Sequence, residues 1–422
     1  MNHLRFWHRV MTLVLPLVGL LSACQTTTQS LANQDLIERV AGDTIHLRAG
    51  SFALTRPLTF PSGTTVVGNG TELVLPQTDA FTPGVVLDGV RNLTLRGLTL
   101  RGDVFTARTD VNYLNRANHA NAILIQNANN VRLENCVFRD LVGTGVKVLD
   151  SRQLAFRQCH FERLGLSTPP TATYSSDAIY LGGNSYVSDV TVTDCTFRNV
   201  GSEFPPGHSG WPNDGDGIQI ASLGEVSNLT VRGSTFDRCS ARGIKIQAGE
   251  NILVEDNTFT DCGSAVVIAM IQPTRDVTVQ NNRIDRVSFA VSTDNDQPGP
   301  LLPVHNLRVS NNEVGSCIFF FRNNGYTILR GGGFTDNRVA QIGKCFIDGR
   351  LVDATVRGNV IGGYAAVDDK SYDMAILLSP ESENVTIENN VFGKSAASNR
   401  DVLNRSVKRI DIRNNTFKSE RN

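Results

Sequence analysis

Aromatic side chains are scarce in this chain: 7% of 422 residues, with only 2 tryptophans against 37 glycines. So few large rings and so many turn formers disfavour a bundle of long helices and favour β-structure. Net charge is nearly absent as well, with 40 basic and 41 acidic side chains. This argues against nucleic acid as a partner, because phosphate binding draws on a basic surface. No Pro/Ser/Gly-rich linker and no run of charge divides the chain after residue 35. A chain long enough for two or three ordinary domains, yet undivided, points to one elongated, repetitive domain. Cys-x-x-Cys spacing is missing too, and with it the usual signature of structural zinc.

Residues 1–23 combine Arg5 and Arg9 with an apolar stretch from Val10 to Leu21. The stretch is too short to span a bilayer comfortably and predicts a secretory signal. It ends Leu21-Ser22-Ala23-Cys24, which resembles the bacterial lipobox. The resemblance implies that Cys24 is acylated, becomes the first mature residue and anchors the protein in the bacterial cell envelope. Gln25 follows where Asp would favour retention at the inner membrane, so the outer membrane is the implied destination. Residues 24–34 read as a polar tether, and residues 35–422 as a single domain.

That domain repeats itself. Asn130-Val131-Arg132-Leu133-Glu134-Asn135-Cys136-Val137-Phe138 returns as Asn384-Val385-Thr386-Ile387-Glu388-Asn389-Asn390-Val391-Phe392. Anchored on the first apolar residue, the cassette recurs at Val131, Leu154, Val190, Leu229, Ile252, Val277, Leu307, Gly332, Ala354, Val385 and Ile410, with Gly332 the weakest match. Alternation within each cassette predicts strands, and the shortest spacings, about 22–25 residues, suit one turn of a β-solenoid. Seven residues beyond the anchors lies a column running Phe138, Phe161, Phe197, Phe236, Phe259 and onward to Phe417, predicted to stack inward. Five residues beyond lie Cys136, Cys159, Cys195 and Ser234, then Asn257, Asn282, Asn312, Asn337, Asn359, Asn390 and Asn415, predicted to form a hydrogen-bonded ladder.

These columns resemble the right-handed parallel β-helix proteins of the pectin lyase-like superfamily. The resemblance implies an all-β fold, a right-handed solenoid of about 11–13 coils, over residues 36 to 417. The segment Asp35 to Ile45 is expected to be its amphipathic N-terminal cap and first strand. Eight cysteines in an exported chain would ordinarily suggest disulfides. Here Cys136, Cys159, Cys195, Cys239, Cys262 and Cys317 fall in core columns. Stacked strands hold Cβ atoms roughly 4.8 Å apart, beyond the about 3.8 Å that a disulfide needs, so free buried thiols are expected.

A second strand follows in each coil, as in Gly217-Ile218-Gln219-Ile220. With aliphatics inward, Lys147, Tyr180, Gln219, Lys245, Val267 and Ser292 line one outer face, with Lys147 two turns from Lys245. Long insertions at residues 102–121, 164–176 and 201–215 precede these strands and are expected to wall a groove. They carry His119, Tyr174, Phe204, His208 and Trp211, while Asp177, Asp214 and Asp216 stand just before the strands beneath. Aromatics beside carboxylates suit a sugar-binding cleft. Asp177 and Asp216 occupy equivalent places in adjacent turns, roughly 4.8 Å apart along the stack. Two such carboxylates repel, separating their pKa values as an acid and base pair requires.

Part of this region resembles the polygalacturonase-like glycoside hydrolases, which carry Asn-x-Asp in one turn and Asp-Asp in the next. Ser175-Ser176-Asp177 has Ser for Asn, and Gly215-Asp216-Gly217 has lost one Asp. That family's Gly-His-Gly falls at Ala241-Arg242-Gly243, and its Arg-Ile-Lys at Ala265-Val266-Val267. The resemblance implies polysaccharide hydrolysis, with Asp216 as acid, Asp177 as base, Asp214 close by, and Lys245 and Gln219 orienting substrate. No cofactor is expected. Alternatively, Lys245, Arg242 and Lys147 neutralise a uronate and abstract its α-proton, as in β-helix lyases or epimerases, with calcium held by the Asp group. A third class is a non-enzymatic, surface-anchored scaffold that binds glycans through the same face.

Overall fold

The structure, a computed structural model, describes residues 34–75, 83–102, 121–141, 143–165, 174–175, 177–183, 186–201, 213–221, 225–269, 272–295, 299–364, 374–394, 402–406 and 408–418, with backbone alone at 174–175, 213–214, 374, 394 and 403. Each regular coil has three short strands because the chain turns a left-handed corner between them. Asn130, Asn135 and Asp140 in one coil, and Asn251, Asp256 and Asp261 in a later one, all have φ between +53° and +57°. Asn and Asp tolerate this conformation better than most residues. Glycine takes the same corner at Gly233 and Gly358.

First strands stack into a sheet of 16 strands, and second and third strands share one of 24. Register follows the anchors: Val131 pairs with Leu154, Leu154 with Val190, Val190 with Leu229, and Leu307 with Gly332, all in parallel. Gly332 fits its column for a steric reason. At φ +82°, a Cβ there would lie 2.1 Å from the Leu307 carbonyl oxygen. In two late coils the corner between second and third strands straightens, giving continuous strands Glu313–Asn323 and Arg338–Gly349.

The core is the tube interior. Phe138, Phe161, Phe197, Phe236 and Phe259 stack face to face with centroids 4.5–5.1 Å apart, all fully buried. Each such contact contributes about 0.5–1.5 kcal/mol beyond the area it buries. Small residues make room beside the rings. A Cβ on Gly145, Gly217 or Gly243 would stand 3.0, 2.7 or 2.6 Å from a ring carbon of Phe161, Phe236 or Phe259. Gly217 therefore faces the rings, and the neighbouring Ile218 is buried as well. The strand departs from strict alternation there, which leaves Asp216 and Gln219 on the outer side.

The asparagine ladder forms. Asn282, Asn312, Asn337 and Asn359 each donate Nδ2–H to the Oδ1 of the next asparagine at 3.0, 3.0, 2.9 and 2.8 Å. The same oxygens accept backbone N–H groups, as Asn312 Oδ1 does from Asn282 at 2.9 Å. Earlier in the column the thiols of Cys136 and Cys159 donate to the carbonyls of Leu95 and Leu133. The seven cysteines among the described residues are free and buried, Cys345 included. At the N-terminal end, Ile37–Ala41 turns back antiparallel on Thr44–Leu47, a strand-built cap that is mostly exposed. The signal segment, the tether to residue 33 and Cys24 lie outside the described residues.

Candidate functional site

The outer row has the expected members, on the third strand of each coil rather than the second. Lys147 pairs with Tyr180, Tyr180 with Gln219, Gln219 with Lys245, Lys245 with Val267, and Val267 with Ser292. Lys147 thus lies three coils from Lys245 rather than two, because the Tyr180 and Gln219 coils both intervene. The expected open polar face is narrower than its sequence suggests. Lys147 and Tyr180 are half-buried, whereas Gln219, Lys245, Val267 and Ser292 are 7, 6, 4 and 2% exposed. Lys147 Nζ lies 5.2 Å from the Tyr180 ring centroid, within cation–π range.

Asp177 and Asp216 head neighbouring strands. Gly145 N–H donates to the Asp177 carbonyl and Ala178 N–H to that of Asp216, each at 3.0 Å. Both side chains are buried, at 1 and 0% exposed. Arg242, one coil further, pairs with Asp216 in register and sets Nη1 3.4 Å from its Oδ1. Lys245 Nζ is 3.9 Å from Asp216 Oδ2. Two cations on one buried carboxylate favour its charged form. Burial pushes the Tyr180 hydroxyl above its ordinary pKa, and the Asp177 carboxylate adds to the rise. Tyr180 therefore lies within electrostatic reach of Asp177, three residues before it at the head of the same strand.

Asp214 reaches the same neighbourhood along a different ladder. Asn213–Asp214 pairs in parallel with Tyr174–Ser175, Ser175 opposite Asp214, so the inner ends of two insertions form a small sheet of their own. This places Tyr174 and Asp214 just before the strands headed by Asp177 and Asp216. His119, Phe204, His208 and Trp211 lie outside the described residues. Residue-type reasoning overlooked Gln247, whose Oε1 accepts from Gln219 Nε2 at 3.0 Å. It also stopped at Ser292, although the row continues through Arg322 and Asp348. The signal was the same alternation, carried into Phe321-Arg322-Asn323. Among the described residues no three or more His, Cys, Asp or Glu side chains are grouped to hold a metal ion, so they supply no ready ligand set for calcium.

A three-stranded coil repeated in parallel, with a charged pocket beneath one face, defines a β-helix protein. A sequence profile for the right-handed β-helix region matches residues 82–268 and 171–361, and the chain belongs to that family. Several solved structures share its fold. The Streptococcus pneumoniae surface protein and adhesin PfbA is 14% identical with TM-score 0.54, covering 93% of this chain and 92% of that one. The family 28 exopolygalacturonase of Yersinia enterocolitica is 12% identical with TM-score 0.54, covering 83 and 73%. A double mutant of the tailspike protein of E. coli bacteriophage HK620 is 13% identical with TM-score 0.56, covering 93 and 74%. At such identities the likeness is one of fold. A search of curated protein sequences finds no match.

Proposed function

We propose that the protein is a carbohydrate-active β-helix protein of the bacterial envelope that hydrolyses a polysaccharide at Asp177 and Asp216. The observation carrying this reading is the pair of buried carboxylates in adjacent coils, one facing Arg242 and Lys245 and the other beside Tyr180. Burying charges is expensive and seldom adds stability over apolar packing, so a pocket of ions that the repeat does not require is best accounted for by chemistry. Structural neighbours include an exopolygalacturonase and a tailspike solved in complex with a pentasaccharide, which supports a glycan as partner.

The pairing favours exchanging the two roles expected from sequence. Asp216, held ionised by two cations, is the base or nucleophile. Asp177, buried beside an uncharged phenol, carries the proton delivered to the leaving sugar. Arg242 and Lys245 position Asp216, and the half-buried Lys147 and Tyr180 meet the sugar. Asp177→Asn should lower the appearance of new reducing ends by about 10²–10⁴-fold with unchanged circular dichroism. Full turnover in that variant, on any polysaccharide the parent cleaves, would reject the site. A lyase acting through Lys245 and Arg242 would instead yield an ultraviolet-absorbing unsaturated sugar.

The complete burial of Asp216 favours a second reading, in which the ion cluster is structural and the protein is a glycan-binding scaffold. That reading predicts saccharide binding with neither product. In both readings Cys24 carries the lipid that holds the protein to the membrane. Cys24→Ser should abolish fatty-acid labelling and release the protein from the membrane fraction, and unchanged fractionation would overturn the anchor.

A further inference from the structure

Three steps of about 4.8 Å beyond Lys245, roughly 14 Å along the same row, a second group of charges gathers on the outer face. Arg322 sits in register with Ser292 on one side and Asp348 on the other, and its Nε is 3.6 Å from Asp348 Oδ2. Its guanidinium lies over the Phe319 ring, 4.6 Å from the centroid, and Phe319 stacks on the half-buried Phe289 at 5.6 Å. These rings form a small apolar cluster outside the tube, with Cys345, Ile318 and Leu377. Arg350 follows Asp348 by two residues, donates from Nη1 to the Gly325 carbonyl at 2.9 Å, and sets Nε 3.6 Å from Glu381. Burial pushes the Asp348 carboxyl above its ordinary range, and Arg322, Arg350 and Arg405 pull it back. Three arginines therefore act on one acid, with Glu381 as the further counter-charge.

Two features separate this group from an ordinary surface ion network. The Nε atoms of Arg322 and Arg350 are buried and, among the described residues, have no hydrogen-bond partner, although the side chains remain 38 and 26% exposed. Buried donors without acceptors are rare, because each forfeits its hydration. The surplus is also cationic: Arg405, whose backbone N–H donates to the Leu378 carbonyl at 3.1 Å next to the Leu377 that pairs with Asp348, joins Arg322 and Arg350 in acting on Asp348, while Glu381 stands beside Arg350. A planar fork matches a carboxylate carried on a sugar, whose oxygens accept from the guanidinium, while Phe319, 7% exposed beneath Arg322 and stacked on Phe289, holds that fork in place.

We propose that Arg322, Arg350 and Arg405, with Phe289 and Phe319 beside them, form a distal binding site for an acidic sugar residue of the glycan. That the anion is borne on a saccharide rests on the functional reading above; the anion site itself stands apart from the reaction at Asp177 and Asp216.

Calorimetric titration of the full chain with a homogeneous uronate hexasaccharide, and with a neutral hexasaccharide of hexoses, tests it. The parent should prefer the uronate oligomer. Arg322→Gln and Arg350→Gln should each weaken uronate binding about tenfold or more, as expected for losing a charge-assisted hydrogen bond. Arg322→Lys should recover only part, since it keeps the charge without the fork. Equal affinity for the two oligomers, or undiminished uronate affinity in both glutamine variants with melting unchanged, would overturn the proposal. Asp177→Asn separates the two readings: it should retain uronate binding while losing cleavage. If it still cleaves, the catalytic assignment falls and the distal site is judged by the arginine variants alone.

Discussion

Two groups of buried polar side chains lie in successive stretches of the same tube and meet the same problem in opposite ways. Inside the tube, Asn257 to Asn415 repeat one residue type, and each amide satisfies the one before it. Outside, Asp177 and Asp216 stand with Arg242 and Lys245, no column repeats them, and the charge of Asp216 is compensated by the two cations. The difference teaches which burial is structural. A column solved by repetition serves every coil alike, whereas an arrangement made once, at the cost of desolvating ions, answers a need that the fold does not impose.

The largest expected effect tests the singular group. Asp216→Ala takes a carboxylate away from two nearly buried cations and should destabilise the fold by about 3–5 kcal/mol, read as a lower denaturant midpoint. Adding Arg242→Gln should restore part of it, and additive losses would show that the two residues are not coupled. The repeated group comes next. Asn312→Ala orphans the Asn282 N–H and the Val279 carbonyl. At about 1–3 kcal/mol for each unsatisfied group, a loss near 3 kcal/mol is expected with no change in ligand binding. A binding change there would dissolve the distinction between inside and outside.

Gly217→Ala probes the boundary between the two groups, since its Cβ would meet the Phe236 ring just beside Asp216. Overpacking of about 1–3 kcal/mol should accompany a loss of turnover, whereas Gly332→Ala should cost stability alone. Smallest is an ion pair far from either group. Glu72 is held below its ordinary pKa chiefly by Arg139, with Arg101 assisting. Its stabilisation is present above the ordinary glutamate value near 4.5 and lost as pH falls through the lower folded value. Glu72→Gln should cost about 0.5–1 kcal/mol at neutral pH, as partly exposed pairs do, and flatten the acid limb of the stability profile. Asp348 has the opposite sign. Its raised pKa makes stability fall as pH rises from the ordinary aspartate value to the folded one, a slope that Asp348→Asn should remove.

Whatever repeats was legible from residue types. The Phe138 and Asn257 columns, the registers through Gly332 and the adjacency of Asp177 and Asp216 all follow from counting residues between corners. Asn130, Asn135 and Asp140 were equally periodic, yet reading them as corners required φ, which apolar spacing does not reveal. The pocket was half legible. Alternation put Lys245 on the outer face, but whether it reached Asp216 depended on Arg242 and on the bend at Gly217, neither of which recurs. Burial of Gln219 and Ser292 depends on what covers the face, and strand periodicity carries no information about that.

The asparagine column has one more property. Each side-chain amide from Asn257 to Asn390 accepts at its oxygen from the N-terminal side, and donates one N–H to the next asparagine and the other back to a carbonyl of the preceding coil. The amide oxygens therefore all point one way and their C=O dipoles add, as peptide dipoles do along a helix, and each bond polarises the next. The thiols of Cys136 and Cys159 carry a much weaker moment, so this alignment begins only past Ser234. The tube is electrically asymmetric along its length, with partial positive charge toward Asn415 on a chain whose formal charge is almost zero.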